Sequence, residues 1–531
     1  MRKNRRLFWA GLVGALALLA WLGLTIIATG SRPAAPISRT LEPVIVSGEQ
    51  LAEFQGAPLD DLFVYAYDGS TWAAIPFQID EVDATGTYTV EDRLLDANDE
   101  LVFMAMDLGS QATPHEWLTD TASQAHPRYE LRVTNPLAPA EQGQVYLYHS
   151  ATLSPTILVD YVDWDAAGSR YVAGAYVLGF APASHYGMDS LELNGSGMDA
   201  LDRSKMRINV DCYIFGIPIN INLTEDDLAG LLDQTPAVDG PVRAGGGTVQ
   251  GSNWAYYALD RSKLVLDVGA IEPPPQCSSI VIRWIRLSSD WQDPMASGMA
   301  PVTYYDANTP EGVAVDGVPD SVPTQPVAGW RQVSGAQGSV VTVVDSALDG
   351  GSLSNYYLDD LTENPGDTGD QRSYGDAGAL VDNPSGQMVI DMVTYVLDAG
   401  QPNVGDIFRA YYEQPLTVAA TAQSYDPTCD APSGVTFDWT PRPAHSGSMT
   451  VFTANVAGGD PPFTYTWEFA DDGSAAADNP VNHTFTLSGT FMVTVTVGNA
   501  CGAAAPLTQT VEVLPAGPVW RTYLPLVSKR Q

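Results

Sequence analysis

Carboxylates are the side chains with the most scope for chemistry in this sequence, since 63 acidic residues stand against 25 basic ones. Paired carboxylates cleave glycosides when one is held protonated and the other ionised. Asp80 and Glu81, in the stretch QIDEVD behind an apolar run, are the candidates for such a pair, with strand-end turn residues as the alternative. Other catalytic signatures fail at a named position. Gly350-Gly351-Ser352-Leu353-Ser354 lacks the second glycine of a nucleophile elbow. His115-Glu116 is followed by Trp117, Leu118 and Thr119, so the second histidine of a zinc-peptidase helix is missing. Tyrosine doublets offer a different chemistry, because aromatic rings stack on the apolar faces of sugars. Adjacent strand residues point to opposite faces. Each of the doublets at 256–257, 304–305, 356–357 and 411–412 should therefore bury one ring and present the other. Tyr256, Tyr304, Tyr356 and Tyr411 are the candidate ligand-binding positions, against the alternative that tyrosine simply fits a pleated sheet.

Metal-binding patterns are partial. Asp96, Asn98, Glu100 and Asp107 fall at positions 1, 3, 5 and 12 of a calcium loop, but position 6 is Leu101 where the sharp turn needs glycine. That stretch is expected to be a turn feeding a core strand. Asp316-Gly-Val-Pro-Asp320 looks like the acidic turns of calcium-stapled extracellular repeats, although it occurs once and without an upstream run of aspartates. Asp316 and Asp320 are thus the candidate metal ligands and calcium the candidate ion, with no signature for any other cofactor. Asp360, Glu363, Asp367, Asp370 and Asp376 crowd a glycine- and proline-rich stretch, expected to be a solvated loop or one ordered by a cation.

The elements that position these residues are expected to be strands. A chain of 531 residues with 38 prolines and 48 glycines, 24 tyrosines and 12 tryptophans holds several β-rich cores and is not disordered. The net charge of −38 argues against nucleic acid as a partner. Behind Arg2, Lys3, Arg5 and Arg6, residues 7–30 form an apolar run that predicts insertion into the cytoplasmic membrane. Its length favours a signal anchor, while Ala28 and Gly30 before Ser31 would suit a cleaved signal peptide. Residues 31–40 read as a linker, 41–150 as a β-sandwich domain, and 151–420 as a β-rich domain able to form one unit with it. The overall class is all-β: a large sandwich region of one or two domains, then a smaller C-terminal sandwich.

Asp68-Gly69, between Phe63-Val64-Tyr65 and Trp72, signals a hairpin, and Leu101 to Met106 reads as a strand buried on both faces. Further strands are expected over 145–149, 157–162, 281–287, 388–397 and 407–412, and short helices over 224–232 and 198–206. Gly245 to Gly247 reads as a flexible loop without the setting of a nucleotide site.

Near the C-terminus, Tyr465, Trp467 and Phe469 alternate with Thr464, Thr466 and Glu468, and Phe491, Val493, Val495 and Val497 repeat the two-residue period of a half-buried strand. With Asp472, Gly473, Asn479, Pro480, His483, Phe485 and Gly489, this segment over about 435–515 resembles the PKD (polycystic kidney disease) domain. Ala470 stands where that family usually has glycine. The resemblance implies an immunoglobulin-like β-sandwich of the kind that exported bacterial enzymes and surface proteins use as a spacer or binding module. Pairing by region in an oxidising setting gives Cys429 with Cys501, which bracket the segment, and Cys212 with Cys277. Residues 516–531 form a tail that resembles the short tails of some exported bacterial proteins, without the features of a sortase site, and an edge strand is the alternative. The functional expectation is a membrane-anchored or secreted surface protein binding extracellular carbohydrate or protein. A polysaccharide-active or peptide-cleaving enzyme is the alternative.

Overall fold

The computed structural model describes residues 37–180, 187–228, 236–248, 251–271, 273, 275–499 and 501–515. The apolar leader and the C-terminal tail lie outside these, as do Leu231 and Leu232. Among the described residues no helix is long and apolar enough to cross a membrane. The chain is all-β; among the described residues the strands form six sheets, antiparallel except where Ala444–His445 runs parallel to Leu507–Leu514, and a short helix spans Gly405–Glu413.

In the first sandwich, a three-stranded sheet of Pro43–Ser47, Glu100–Met104 and Phe77–Asp80 faces a five-stranded one. The inward residues Val46, Leu101 and Phe103 meet Leu131, Val145 and Leu147 in one core. Each such side chain, moved fully out of water, contributes about 1.5–3 kcal/mol. Glu100–Met104 is buried on both faces, as its unbroken apolar text requires. The Asp68-Gly69 turn joins Leu62–Tyr67 to Trp72–Ala74, and the Asp68 carboxylate accepts from the Ser70 and Thr71 amides to close it. The five-stranded sheet ends in Thr417–Gln423, which pairs along the whole of Arg128–Thr134.

The second body is built on the two longest strands, Ser339–Asp360 and Ser373–Leu397, paired antiparallel at the centre of a twelve-stranded sheet. The outer edge of Ser373–Leu397 is shared. Leu259–Asp267 takes its C-terminal half and Ser279–Trp291 its N-terminal part, beyond which lie Leu201–Ile214 and Ile217–Leu223. A four-stranded sheet runs from Val162–Asp165 to Met188–Leu193, and its Phe180 and Leu193 share a core with Tyr304 and Val340 of the large sheet. The C-terminal sandwich closes around Trp467, whose indole N–H donates to the Asp478 carbonyl at 3.0 Å, with Phe452, Phe485, Val493 and Val495.

Several expected elements come out differently. Residues 407–412 lie in the helix rather than a strand, because Phe408, Tyr411 and Tyr412 recur at helical spacing and Phe408 packs on Tyr395. Residues 198–206 fall largely in the strand Leu201–Ile214, where pairing with Ser279–Trp291 overrides the helical reading. Ile157–Val162 becomes loop up to Tyr161, leaving Leu158 86% exposed. Gly245 to Gly247 belong to the strand Ala244–Gly247. There a Cβ on Gly245 would lie 2.0 Å from the Asn253 carbonyl oxygen, a close approach only glycine permits. Of the expected helix from 224, the described part is a single turn, Glu225–Leu228, opened by Thr224 N–H donating to Asp227 at 2.9 Å.

Candidate functional site

Strand alternation assembles a buried cluster of charge in the second body. On Leu201–Ile214 the side chains of Arg203, Lys205 and Arg207 share one face, opposite Asp290, Ser288 and Arg286 of the neighbouring strand. Asp376 and Gly378 continue that face on Ser373–Leu397, and Tyr356 on Ser339–Asp360. Gly378 lets the strands close, because a Cβ there would lie 1.9 Å from the Leu287 carbonyl oxygen.

The Lys205 ammonium is buried against Asp290, with Asp367 at 3.0 Å. Arg207 pairs with Glu225, reaches Asp367 at 2.6 Å, and donates to the Thr368 hydroxyl at 2.8 Å. Arg286 lies 3.6 Å from Asp376 and 4.2 Å over the Tyr356 ring. Burial, then the neighbouring Asp376 carboxylate, hold Asp290 well above the usual carboxylate range. Burial pushes Lys205 down, but the surrounding aspartates outweigh it and raise its pKa. Asp367 is pushed up by burial and pulled further down by Lys205 and Arg207. Both oxygens of Asp376, Oδ2 of Asp202 and the Ser288 hydroxyl have no hydrogen-bond partner among the described residues.

A loop over residues 361–372 covers this cluster. It joins the two longest strands and is pinned from below, since Asp367 takes Lys205 and Arg207 while the Asp370 amide donates to Asp202 at 3.1 Å. Gly369 passes so close that a Cβ would lie 1.8 Å from Asp202 Oδ2, and its φ of +70° also favours glycine. Burial and the Asp370 charge push the Asp202 carboxyl up to about 6. Beside the loop opens a cleft of about 240 Å³, smaller than typical drug-sized sites. Apart from Leu358 and Pro365, every lining side chain can hydrogen-bond, among them Asp360, Glu363, Asn364, Asp367, Gln371 and Arg372.

A second charged centre sits where the first sandwich meets the twelve-stranded sheet. The Arg243 guanidinium is 1% exposed, bonded to Asp80 and Glu100 at 2.6 Å each, and stacked 3.8 Å over Trp254. Gln78 accepts from the Val242 and Arg243 amides and donates to Asp80 at 2.7 Å. Burial raises the Asp80 pKa against the pull of Arg243. Glu81, one residue on and therefore on the other face, accepts from the Asp92 and Arg93 amides. The expected carboxylate pair is thus split, Asp80 into an ion pair and Glu81 into a turn. Near it an acidic cleft of about 490 Å³ is lined by Asp83, Glu91, Asp96 and Asn98.

Of the candidate ligand-binding tyrosines, Tyr256 and Tyr304 are 1% and 2% exposed, so their rings belong to the core and cannot meet a polymer. In the doublets 256–257 and 304–305 the buried member is the one that was assigned to ligand, whereas both rings are half-buried at 356–357 and at 411–412, the latter on the helix rather than a strand. Tyr356 is half-buried beneath Arg286, and Tyr411 lies under the Arg39 guanidinium at 4.3 Å. Asp316 and Asp320 are exposed. Their turn is held instead by the buried Asp359 carboxylate, which accepts from the Asp316, Gly317 and Gly375 amides at 3.0–3.1 Å. The structure pairs Cys212 with Cys277 and Cys429 with Cys501. The Lys205 cluster itself had one signal in the sequence, three basic residues at alternate positions 203, 205 and 207 in a chain so poor in them.

Residues 434–513 match the PKD domain family, so the C-terminal sandwich is a PKD domain. A search of curated proteins gave no match. Among solved structures, a polysaccharide lyase aligns with 65% of this chain at 9% identity and a TM-score of 0.22. The chain spans about half the length of that lyase, 47%, and likeness this low carries no inference about chemistry.

Proposed function

We propose that the chain is an exported surface protein whose β-sandwich body, about 41–420, binds an extracellular polysaccharide in the cleft beside residues 361–372. In this reading the PKD domain is a spacer or second binding module, as such domains are on exported proteins, and the leader carries the chain to the outer face of the cytoplasmic membrane. One observation carries the ligand class. The cleft is lined almost wholly by side chains that donate or accept hydrogen bonds, and it is braced from beneath by Lys205, Arg207 and Asp367. Preorganised polar groups favour a hydroxyl-rich ligand, since they need no reordering on binding. A protein ligand would be expected to need apolar anchors that this cleft lacks.

The enzymatic alternative is favoured by a specific pair. Asp202 is raised to about 6 while Asp367, in the loop above it, is lowered. Carboxylates whose surroundings drive their pKa values apart are what acid–base cleavage requires. The test is retention and turnover of residues 31–531 on a panel of polysaccharides and proteins, with and without calcium. Retention without degradation, weakened about fivefold by Gln371→Ala or Glu363→Ala through loss of a hydrogen bond, supports binding at this cleft. Degradation abolished by Asp202→Asn would replace it with the enzyme reading. Retention unchanged in both cleft variants would remove the cleft from the proposal.

A further inference from the structure

The PKD domain holds a group of side chains that neither its fold nor the proposed cleft uses. Asp471 and Asp472 lie in the turn after Thr464–Phe469, and His483 lies on the strand Val481–Thr484. One ligand atom from each falls within 4.8 Å of the others. The His483 ring is clamped, stacked on Phe469 at 3.9 Å with 4° between the planes and edge-on to Phe485 at 4.7 Å. That clamp aims Nε2 at Asp471 Oδ1, 2.9 Å away. Asp471 has a side chain only 2% exposed, and its second oxygen is buried without a hydrogen-bond partner among the described residues. A carboxylate taken out of water with one oxygen unsatisfied is costly, and the imidazole compensates only the other. Asp472 completes the group from the solvent side, its carboxylate held ionised below the usual range by hydrogen bonds from Ser474.

We propose that Asp471, Asp472 and His483 bind a divalent transition ion of the zinc class. One imidazole nitrogen and two carboxylate oxygens suit zinc, which accepts nitrogen and oxygen donors in a tetrahedron and leaves a fourth position for water. Calcium would need six to eight oxygens, more than these side chains offer. The ion would tie the strand Val481–Thr484 to the turn at 471–472, and satisfy the stranded Asp471 oxygen.

The test is calorimetric titration of zinc into the metal-stripped full-length chain, with cobalt(II) absorption as a second readout of tetrahedral coordination. One zinc per chain is expected. Affinity should fall about tenfold or more in Asp472→Asn, a change on the exposed rim that leaves the core intact, and vanish in His483→Gln. His126 and His149, with rings 4.2 Å apart, are the rival site, so His126→Gln should leave the titration unchanged. Equal affinity in wild type and Asp472→Asn, loss of binding in His126→Gln, or no uptake of zinc by the folded wild type would each overturn the proposal.

Discussion

The Arg243 and Lys205 centres are both buried clusters of cations and carboxylates, yet they are finished to different degrees. At Arg243 a planar guanidinium is met by two carboxylates and two aromatic faces, and Gln78 fixes the nearer carboxylate. None of Arg243, Asp80, Glu100 or Gln78 has an unpartnered buried atom among the described residues. At Lys205 pairing is incomplete on both sides, since among the described residues Asp376 accepts no hydrogen bond and the Nε atoms of Arg203 and Arg286 donate none, and a pinned loop and a cleft lie above. Complete pairing serves stability and specificity of folding. Incomplete pairing beneath a cleft, with protonation states pushed apart, is where function is sought first. The first centre is thus finished as architecture, and the second lies beneath the cleft proposed to bind ligand.

The largest test of that division is Arg243→Ala. It strands Asp80 and Glu100 in the core, and breaking a buried pair by removing one partner costs about 3–5 kcal/mol. Urea unfolding should register the loss, with retention on ligand unchanged in the protein that remains folded. Asp80→Asn should cost less, about 1–3 kcal/mol, because Glu100 still faces the guanidinium.

The same chemical change in the other centre should behave differently. At Asp202 the sign follows from linkage. A carboxyl raised on folding binds its proton more tightly in the folded state, so its stabilising effect is present at low pH and lost as pH rises. The window runs from the unfolded value of ~3.9 to about 6. Asp202→Asn, which keeps an oxygen for the Asp370 amide, should melt like wild type near pH 4 and above it at pH 7. A constant difference across that range would mean that Asp202 is not the titrating group. Asp376→Asn should come closer to neutral in stability than Asp80→Asn. It removes a charge that raises Asp290, and so should flatten the fall in stability as pH rises above the ordinary carboxylate range.

The sequence carried the two sandwiches well, because their signal is local: alternating aromatics at 465–469, and the turn at Asp68-Gly69. The helix at 405–413 was misread because six residues of mixed pattern fit either period. The Lys205 cluster was hidden for a topological reason. Its members come from positions 203–207, 225, 286–290, 367 and 376, and they meet only because Ser373–Leu397 shares one edge between two other strands. The doublet at 304–305 shows the limit of alternation, which places two rings on opposite faces without saying which face is buried.

The smallest expected effect is at Asp316 and Asp320, and it separates two ways of ordering an acidic turn. A calcium-ordered turn would lose stability when either carboxylate is neutralised, and would respond to chelator. In this chain three amides converge on Asp359 instead. Asp316→Asn and Asp320→Asn should therefore leave the melting temperature unchanged, with or without EDTA. Asp359→Ala should lower it, because it removes the acceptor of those amides and leaves Gly317 and Gly375 N–H groups unpaired in the interior. A chelator-sensitive melt in wild type that is lost in Asp316→Asn would reverse the assignment and make the turn a cation site after all.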